Sequence, residues 1–210
     1  MDKYRIYELD SATLPLGYSE KIAKLHMQAF PEFFLTKLGM GFLATLYDGY
    51  LQDGNSGLIV AKSNERKVIL GFLAYSRDYS TFYKNLMKRH LLKFAIYAAG
   101  AVIRHPGFVK RLLGAFHKSE EVKRTERYVE LASICVHPQC ADKGVGRSLI
   151  RYLIEHTDFK EYAYISLETD TDNNEKVNRF YQKNGFTLAR TYTTPEGRRM
   201  NEYHYAEKKA

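Results

Sequence analysis

Tryptophan is missing from this chain of 210 residues, cysteine occurs twice and proline five times. Two cysteines cannot build a disulfide framework, so Cys135 and Cys140 read as thiols of a reducing compartment. The most apolar run, residues 91–103, is thirteen residues long and contains Lys93. That is too short to cross a bilayer. The first ten residues, MDKYRIYELD, carry charges where a secretion signal has an apolar core, so a cytoplasmic protein is expected. Repeats and low-complexity tracts are absent as well.

What the chain does have is ordinary core material and an uneven charge. Hydrophobic residues make up 45% of it, with 17 Tyr and 12 Phe, rings that pack a core and can also line a pocket. The length suits one medium domain, residues 1–210, with room for an insertion. Residues 79–127 hold eleven Lys or Arg against three Glu, an excess equal to the net +8 of the whole chain. A basic segment on a neutral body is a local interaction surface.

Periodicity yields the element order. Residues 4–9 alternate as a strand, and Ser19 opens a helix that Pro31 stops, with Ile22, Leu25, His26 and Ala29 on one face. A second helix is expected over 36–51, then paired strands at 58–62 and 68–75. Two helices, parted by Pro106-Gly107, fill 79–127. Strands follow at 129–136, 163–168, 187–192 and 200–206, with helices at 146–156 and 174–183 and a turn at Thr194-Pro195-Glu196-Gly197. This is an α/β (α+β) order, a sheet with helices on its faces.

Two stretches carry the chemistry. Residues 128–146 read YVELASICVHPQCADKGVG, a strand running into a glycine-bearing loop that opens a helix. Glycines let the backbone approach a phosphate, and the helix N-terminus attracts its charge. A dinucleotide fold would need a third glycine where Leu149 stands, so that reading fails. Residues 174–186 read NEKVNRFYQKNGF. Together the stretches resemble the GCN5-related N-acetyltransferase (GNAT) superfamily. There the loop Arg/Gln-x-x-Gly-x-Gly/Ala holds the acetyl-CoA pyrophosphate, and a later helix carries Asn, then Tyr, then Gly-Phe. The matching residues are Ala141-Asp142-Lys143-Gly144-Val145-Gly146, Asn174, Phe180-Tyr181 and Gly185-Phe186. Ala141 departs from the pattern, since it replaces the usual Arg or Gln and removes one side chain near the phosphates.

The resemblance implies a central mixed, mostly antiparallel sheet flanked by helices; it does not cover residues 79–127, which read as a helical insertion before the strand carrying Glu130. It implies acetyl-CoA as co-substrate and direct acetyl transfer to the amine of a small molecule, such as an amino sugar or a nucleotide-linked sugar. An alkylammonium is only about one part in a thousand free amine at neutral pH, so a base is required. Glu130 stands at the family's base position, and Tyr181 matches its general acid. Ile134, Cys135 and Val136 would meet the pantetheine arm through their backbone. Ala141, Asp142, Lys143, Gly144, Val145, Gly146 and Arg147 would hold the pyrophosphate, and Asn174 the CoA arm. Cys135 itself lacks a catalytic partner at any telling spacing and reads as a core thiol. The histidines show no metal spacing, so no metal is expected.

Alternatives are a protein or peptide N-acetyltransferase, and a non-catalytic acyl-CoA sensor with a basic membrane-facing segment. Residues 79–127 can pack as solvated helices, lie on an anionic membrane, or hold an anionic acceptor. Nucleic-acid binding is not expected, because a phosphate-tracking stripe does not expose so apolar a run.

Overall fold

The computed structural model describes residues 3–14, 17–104 and 126–207. Seven strands form one sheet: β1 (Tyr4–Glu8), β2 (Ser56–Ser63), β3 (Ile69–Ser76), β4 (Tyr128–Val136), β5 (Tyr164–Asp170), β6 (Thr187–Thr193) and β7 (Arg199–Tyr205). Their spatial order is β1-β2-β3-β4-β5-β7-β6. Every neighbouring pair is antiparallel except β4 and β5. The middle strands β2 and β3 are buried almost throughout, because helices cover both faces, and so they read as continuous apolar runs.

Helices α1 (Tyr18–Ala29), α2 (Phe34–Lys37), α3 (Met40–Gln52) and α4 (Tyr79–Arg104) precede β4. One core layer joins Ile22, Leu43, Tyr47 and Phe82 of these helices to Phe72, Ala74 and Cys135 of the sheet. Helices α5 (Val145–Glu155) and α6 (Glu175–Lys183) supply the other layer, where Leu149, Ile150 and Tyr181 pack on Leu73, Val129, Ile165 and Tyr203.

One expected helix is two. The pattern over 36–51 is cut at Gly39, whose φ of 96° and ψ of 170° are open only to glycine. The short α2 therefore ends before α3 begins. Helix α4 occupies the first part of the expected insertion, and the second helix expected there lies outside the described residues.

Helix α4 seats on α3 because α3 offers small residues at helical spacing, Gly41, Thr45 and Gly49. A Cβ on Gly49 would lie 2.3 Å from Leu86 Cδ1, and one on Gly41 would lie 2.5 Å from the Tyr97 ring. Gly49→Val would overpack this crossing. We expect a loss of about 2 kcal/mol, read as a lower urea midpoint at unchanged slope; an unchanged midpoint would refute the close approach.

Candidate active site

Strand β4 does not follow β5 along its whole length. The two pair only from Tyr128–Tyr164 to Glu130–Ser166, while β4 continues beside β3 as far as Val136. The strands splay beyond Glu130, and the backbone edge of residues 131–136 faces a gap. A cavity of roughly 1050 Å³ runs through that gap and is lined from both helical layers.

Strict alternation along β4 would put Glu130 on the α5 face with Ile134 and Val136. An irregularity prevents this. Ala74 pairs with Ser133 but Tyr75 pairs with Leu131, so Ala132 is an extra residue, a bulge. The bulge shifts the pleat, and Glu130 then shares its face with Ser133 and Cys135. There it lies within electrostatic reach of three tyrosines, the buried Tyr50 on α3 and the half-buried Tyr79 and Tyr83 on α4. The Tyr83 hydroxyl hydrogen-bonds with those of Tyr79 and Tyr50. Burial first, then the nearby phenols and the Glu130 carboxylate, hold Tyr50 and Tyr79 well above the usual phenol range.

The donor side forms where β4 ends. His137 caps a short turn at Pro138–Cys140 by accepting from Gln139 N–H at 3.2 Å, so it ends the strand as expected. Asp142 (φ 61°) and Gly144 (φ 80°) take left-handed backbone, which curls the loop onto α5. The first intrahelical bond there is Ser148 N–H to Gly144 C=O at 3.0 Å. The amides of Val145, Gly146 and Arg147 precede it and point outward from the helix N-terminus. A Cβ on Gly144 would meet nothing within 4 Å, so the cradle is open. This geometry fits a pyrophosphate held by backbone amides.

Of the residues expected to hold the donor, Ile134, Val136, Ala141, Asp142, Gly144, Val145, Gly146, Arg147 and Asn174 line the cavity. Two do not. Cys135 is buried in the α1 layer, where its thiol meets Leu25 C=O at 3.6 Å and burial pushes its pKa up to about 12. Lys143 turns into a separate groove with Lys21, Lys24, Lys62, Arg66 and Lys67, a gathering of cations that the linear charge distribution hides. Asp142 pairs with Lys176 at 3.0 Å.

Asn174 is also a structural residue. Its Nδ2 donates to Thr169 Oγ1 (2.8 Å) and Asp170 C=O (2.9 Å). Asn178 continues the network: its Nδ2 donates to Asp170 and Asn174 carbonyls, and its Oδ1 accepts from Asn201 and Tyr203. These bonds fix α6 on β5 and β7 and aim Tyr181 into the cavity. Tyr181 is 6% exposed, and burial raises its pKa far above that of a free phenol.

The family profile described as "Acetyltransferase (GNAT) family" matches residues 19–186. The chain belongs to the GNAT family. GNAT enzymes transfer the acetyl group of acetyl-CoA. A GNAT-family structure from Desulfovibrio desulfuricans superposes with a TM-score of 0.63 at 14% identity, covering 97% of this chain and 99% of that one. Arabidopsis thaliana NAA60 in complex with acetyl-CoA superposes with a TM-score of 0.58 at 12% identity, over 97% and 98%. The ribosomal-protein-S18-alanine N-acetyltransferase of Escherichia coli does so with 0.54 at 16%, over 99% and 96%. The UPF0157 protein YqkA of Bacillus subtilis (strain 168) is 25% identical over 87 residues, 41% of this chain but only about a quarter (24%) of that protein.

Toward α1, α3, α4 and the β6–β7 hairpin of this GNAT fold the cavity wall is aromatic. Phe30, Phe33 and Phe34 come from the α1–α2 region, Phe42, Tyr47 and Tyr50 from α3, Tyr79, Tyr83 and Phe94 from α4, and Tyr192 from the β6–β7 hairpin. The periodicity reading set these tyrosines on helices without giving them a role. Their i, i+3 and i, i+4 spacing was the available signal, but nothing in it named the facing partner.

His26 belongs to this wall too. It is 2% exposed, and its Nδ1 lies 2.6 Å from the Tyr47 hydroxyl, which also bonds Ser133 of β4. Its Nε2 is buried and meets no hydrogen-bond partner among the described residues. Desolvation lowers its pKa from 6.5 to about 4. Unfolding therefore takes up a proton between these values, so the residue's contribution is full above about pH 6.5 and declines as pH falls toward 4, by about 3 kcal/mol in all. Urea unfolding of His26→Gln should show a shallower acid limb over that window. Parallel limbs would show that the imidazole is not held neutral.

Proposed function

We propose that this enzyme acetylates the primary amine of a small molecule with an apolar or aromatic body, by direct transfer within a ternary complex. The observation that carries this reading is the Ala132 bulge, which turns Glu130 into an aromatic-walled cavity continuous with the amide cradle. Acetyl-CoA supplies the reactive thioester when bound. Glu130 takes the proton from the incoming ammonium, directly or through a water held among the Tyr50, Tyr79 and Tyr83 hydroxyls. Backbone N–H groups on the open edge of β4 face the carbonyl oxygen as it gains charge. Tyr181 gives its proton to the departing sulfur, and its burial keeps that proton in place until then.

The wall chemistry bears on the acceptor. Among the described residues of α4, only Tyr79, Ser80, Tyr83, Leu86 and Phe94 line the cavity, while Lys84, Lys88, Arg89 and Lys93 do not. An amino sugar can stack on such rings, whereas a diphosphate-linked sugar would find no cation from these α4 positions. The unpartnered His26 nitrogen favours an acceptor that carries a polar group at its far end, since a buried unmade hydrogen bond costs about 1–3 kcal/mol. A cavity walled by helices and a hairpin also suits a compact amine better than an extended peptide.

Glu130→Gln and Tyr181→Phe should each lower kcat in a thiol-release assay by about a hundredfold or more, with the Kd for acetyl-CoA nearly unchanged. Unaltered kcat in both would favour an acyl-CoA sensor. Gly146→Trp would fill the cradle beside Phe180 and Val136, weakening acetyl-CoA binding by about tenfold or more. Saturable binding that survives it would overturn the donor site.

A further inference from the structure

Helix α4 has two faces with different chemistry. Phe82, Leu86, Phe94 and Ala98 are buried at 2–7% exposure against the core. On the other side Leu91, Leu92 and Ile96 are exposed by 59%, 74% and 63%. No other seven described residues expose so many large apolar side chains. Leu92, Ile96 and Ala99 follow one another at i, i+4 and i+7, and Lys88 and Arg89 stand one turn before Leu92. Lys84 and Lys93 flank the same surface, and residues 79–104 contain no Asp or Glu. None of the described helices is long and apolar enough to cross a membrane.

We propose that this outer face of α4 seats the protein on an anionic phospholipid surface. Leu91, Leu92 and Ile96 enter the boundary of the acyl chains, while Lys88, Arg89 and Lys93 reach the lipid phosphates through their long stems. The arrangement is that of an interfacial helix, with apolar side chains at the centre of the strip and cations along it. Charge selects among occupants. A second copy placed by two-fold symmetry would set this cationic helix against itself. Nucleic acid would pair with the cations but leave the exposed leucines and isoleucine in water. An anionic bilayer satisfies both at once. The inner face of α4 supplies Tyr79, Tyr83, Leu86 and Phe94 to the cavity, so seating would bring the acceptor wall to the membrane. The inference rests on α4 alone and does not depend on acetyl transfer.

The test is cosedimentation of the full chain with vesicles of equimolar phosphatidylglycerol and phosphatidylcholine, against vesicles of phosphatidylcholine alone. Binding is expected to the anionic vesicles only and should weaken as salt is raised. Lys88→Gln/Arg89→Gln/Lys93→Gln should weaken it on the order of a hundredfold, since each cation near such a surface contributes about fivefold. Leu92→Glu/Ile96→Glu should abolish it while leaving the thermal midpoint and acetyl-CoA binding as in the wild type, which separates lost docking from lost folding. Equal sedimentation with both vesicle types, none with either, or undiminished binding by the two variants would overturn the proposal. So would self-association without vesicles that the Leu92→Glu/Ile96→Glu variant loses, because the face would then belong to a second copy.

Discussion

The parting of β4 from β5 is the constraint on which the site depends. A parallel pair held in register to its end would leave no gap, and the cavity through the sheet would close. Because pairing stops at Glu130–Ser166, the rest of β4 keeps one ladder with β3 and offers its other edge to a ligand. The bulge at Ala132 lies in this freed stretch. It brings Glu130 to the layer of α3 and α4, while Tyr181 reaches the same cavity from the opposite layer on α6. Two groups to which we assign opposite proton transfers thus come from opposite sides of the sheet and meet only where the sheet is open.

The supports of these two groups differ in kind. Tyr181 is held through a hydrogen-bonded amide network, Asn174 and Asn178 to Asp170, Asn201 and Tyr203, in which a missing partner would leave a buried polar group unsatisfied. The surroundings of Glu130 are set by packing, since Tyr79 and Tyr83 face it only because α4 lies close on Gly41 and Gly49 of α3. A helix that would be read from its charge as a surface feature is therefore also a wall of the cavity. Among its described residues Lys84, Lys88, Arg89 and Lys93 stay out of the cavity lining, while Tyr79, Tyr83 and Phe94 belong to it.

Much of the fold was legible because amphipathic periods and breakers agreed with the final packing. Strand and helix limits moved by only one or two residues where Pro31, the His137-Pro138 break and the loop glycines set them. The expected helix over 36–51 failed at Gly39, whose backbone conformation depends on how α2 and α3 dock and is not encoded in apolar spacing. Cys135 and Lys143 were placed with the donor by their positions in the motif. Yet a strand alternates its side chains and a loop can turn one outward, so neither residue belongs to the cavity lining.

By itself the sequence determined the order of elements, the glycine-bearing loop that opens α5 and the acetyl-CoA donor. These are local properties: glycines that permit left-handed turns, a helix N-terminus that follows a strand, and a motif read within a few dozen residues. The tertiary structure alone decided the aromatic wall of the cavity. Whether Glu130 faces one layer or the other depends on a one-residue bulge that alternation cannot reveal. Which rings surround it depends on α1, α3, α4 and the β6–β7 hairpin converging from distant parts of the chain. His26 shows the difference most plainly: on α1 it was one more residue of an apolar face, and in the fold it is a neutral imidazole with one nitrogen bound to Tyr47 and the other unmatched, because burial and neighbours set its chemistry.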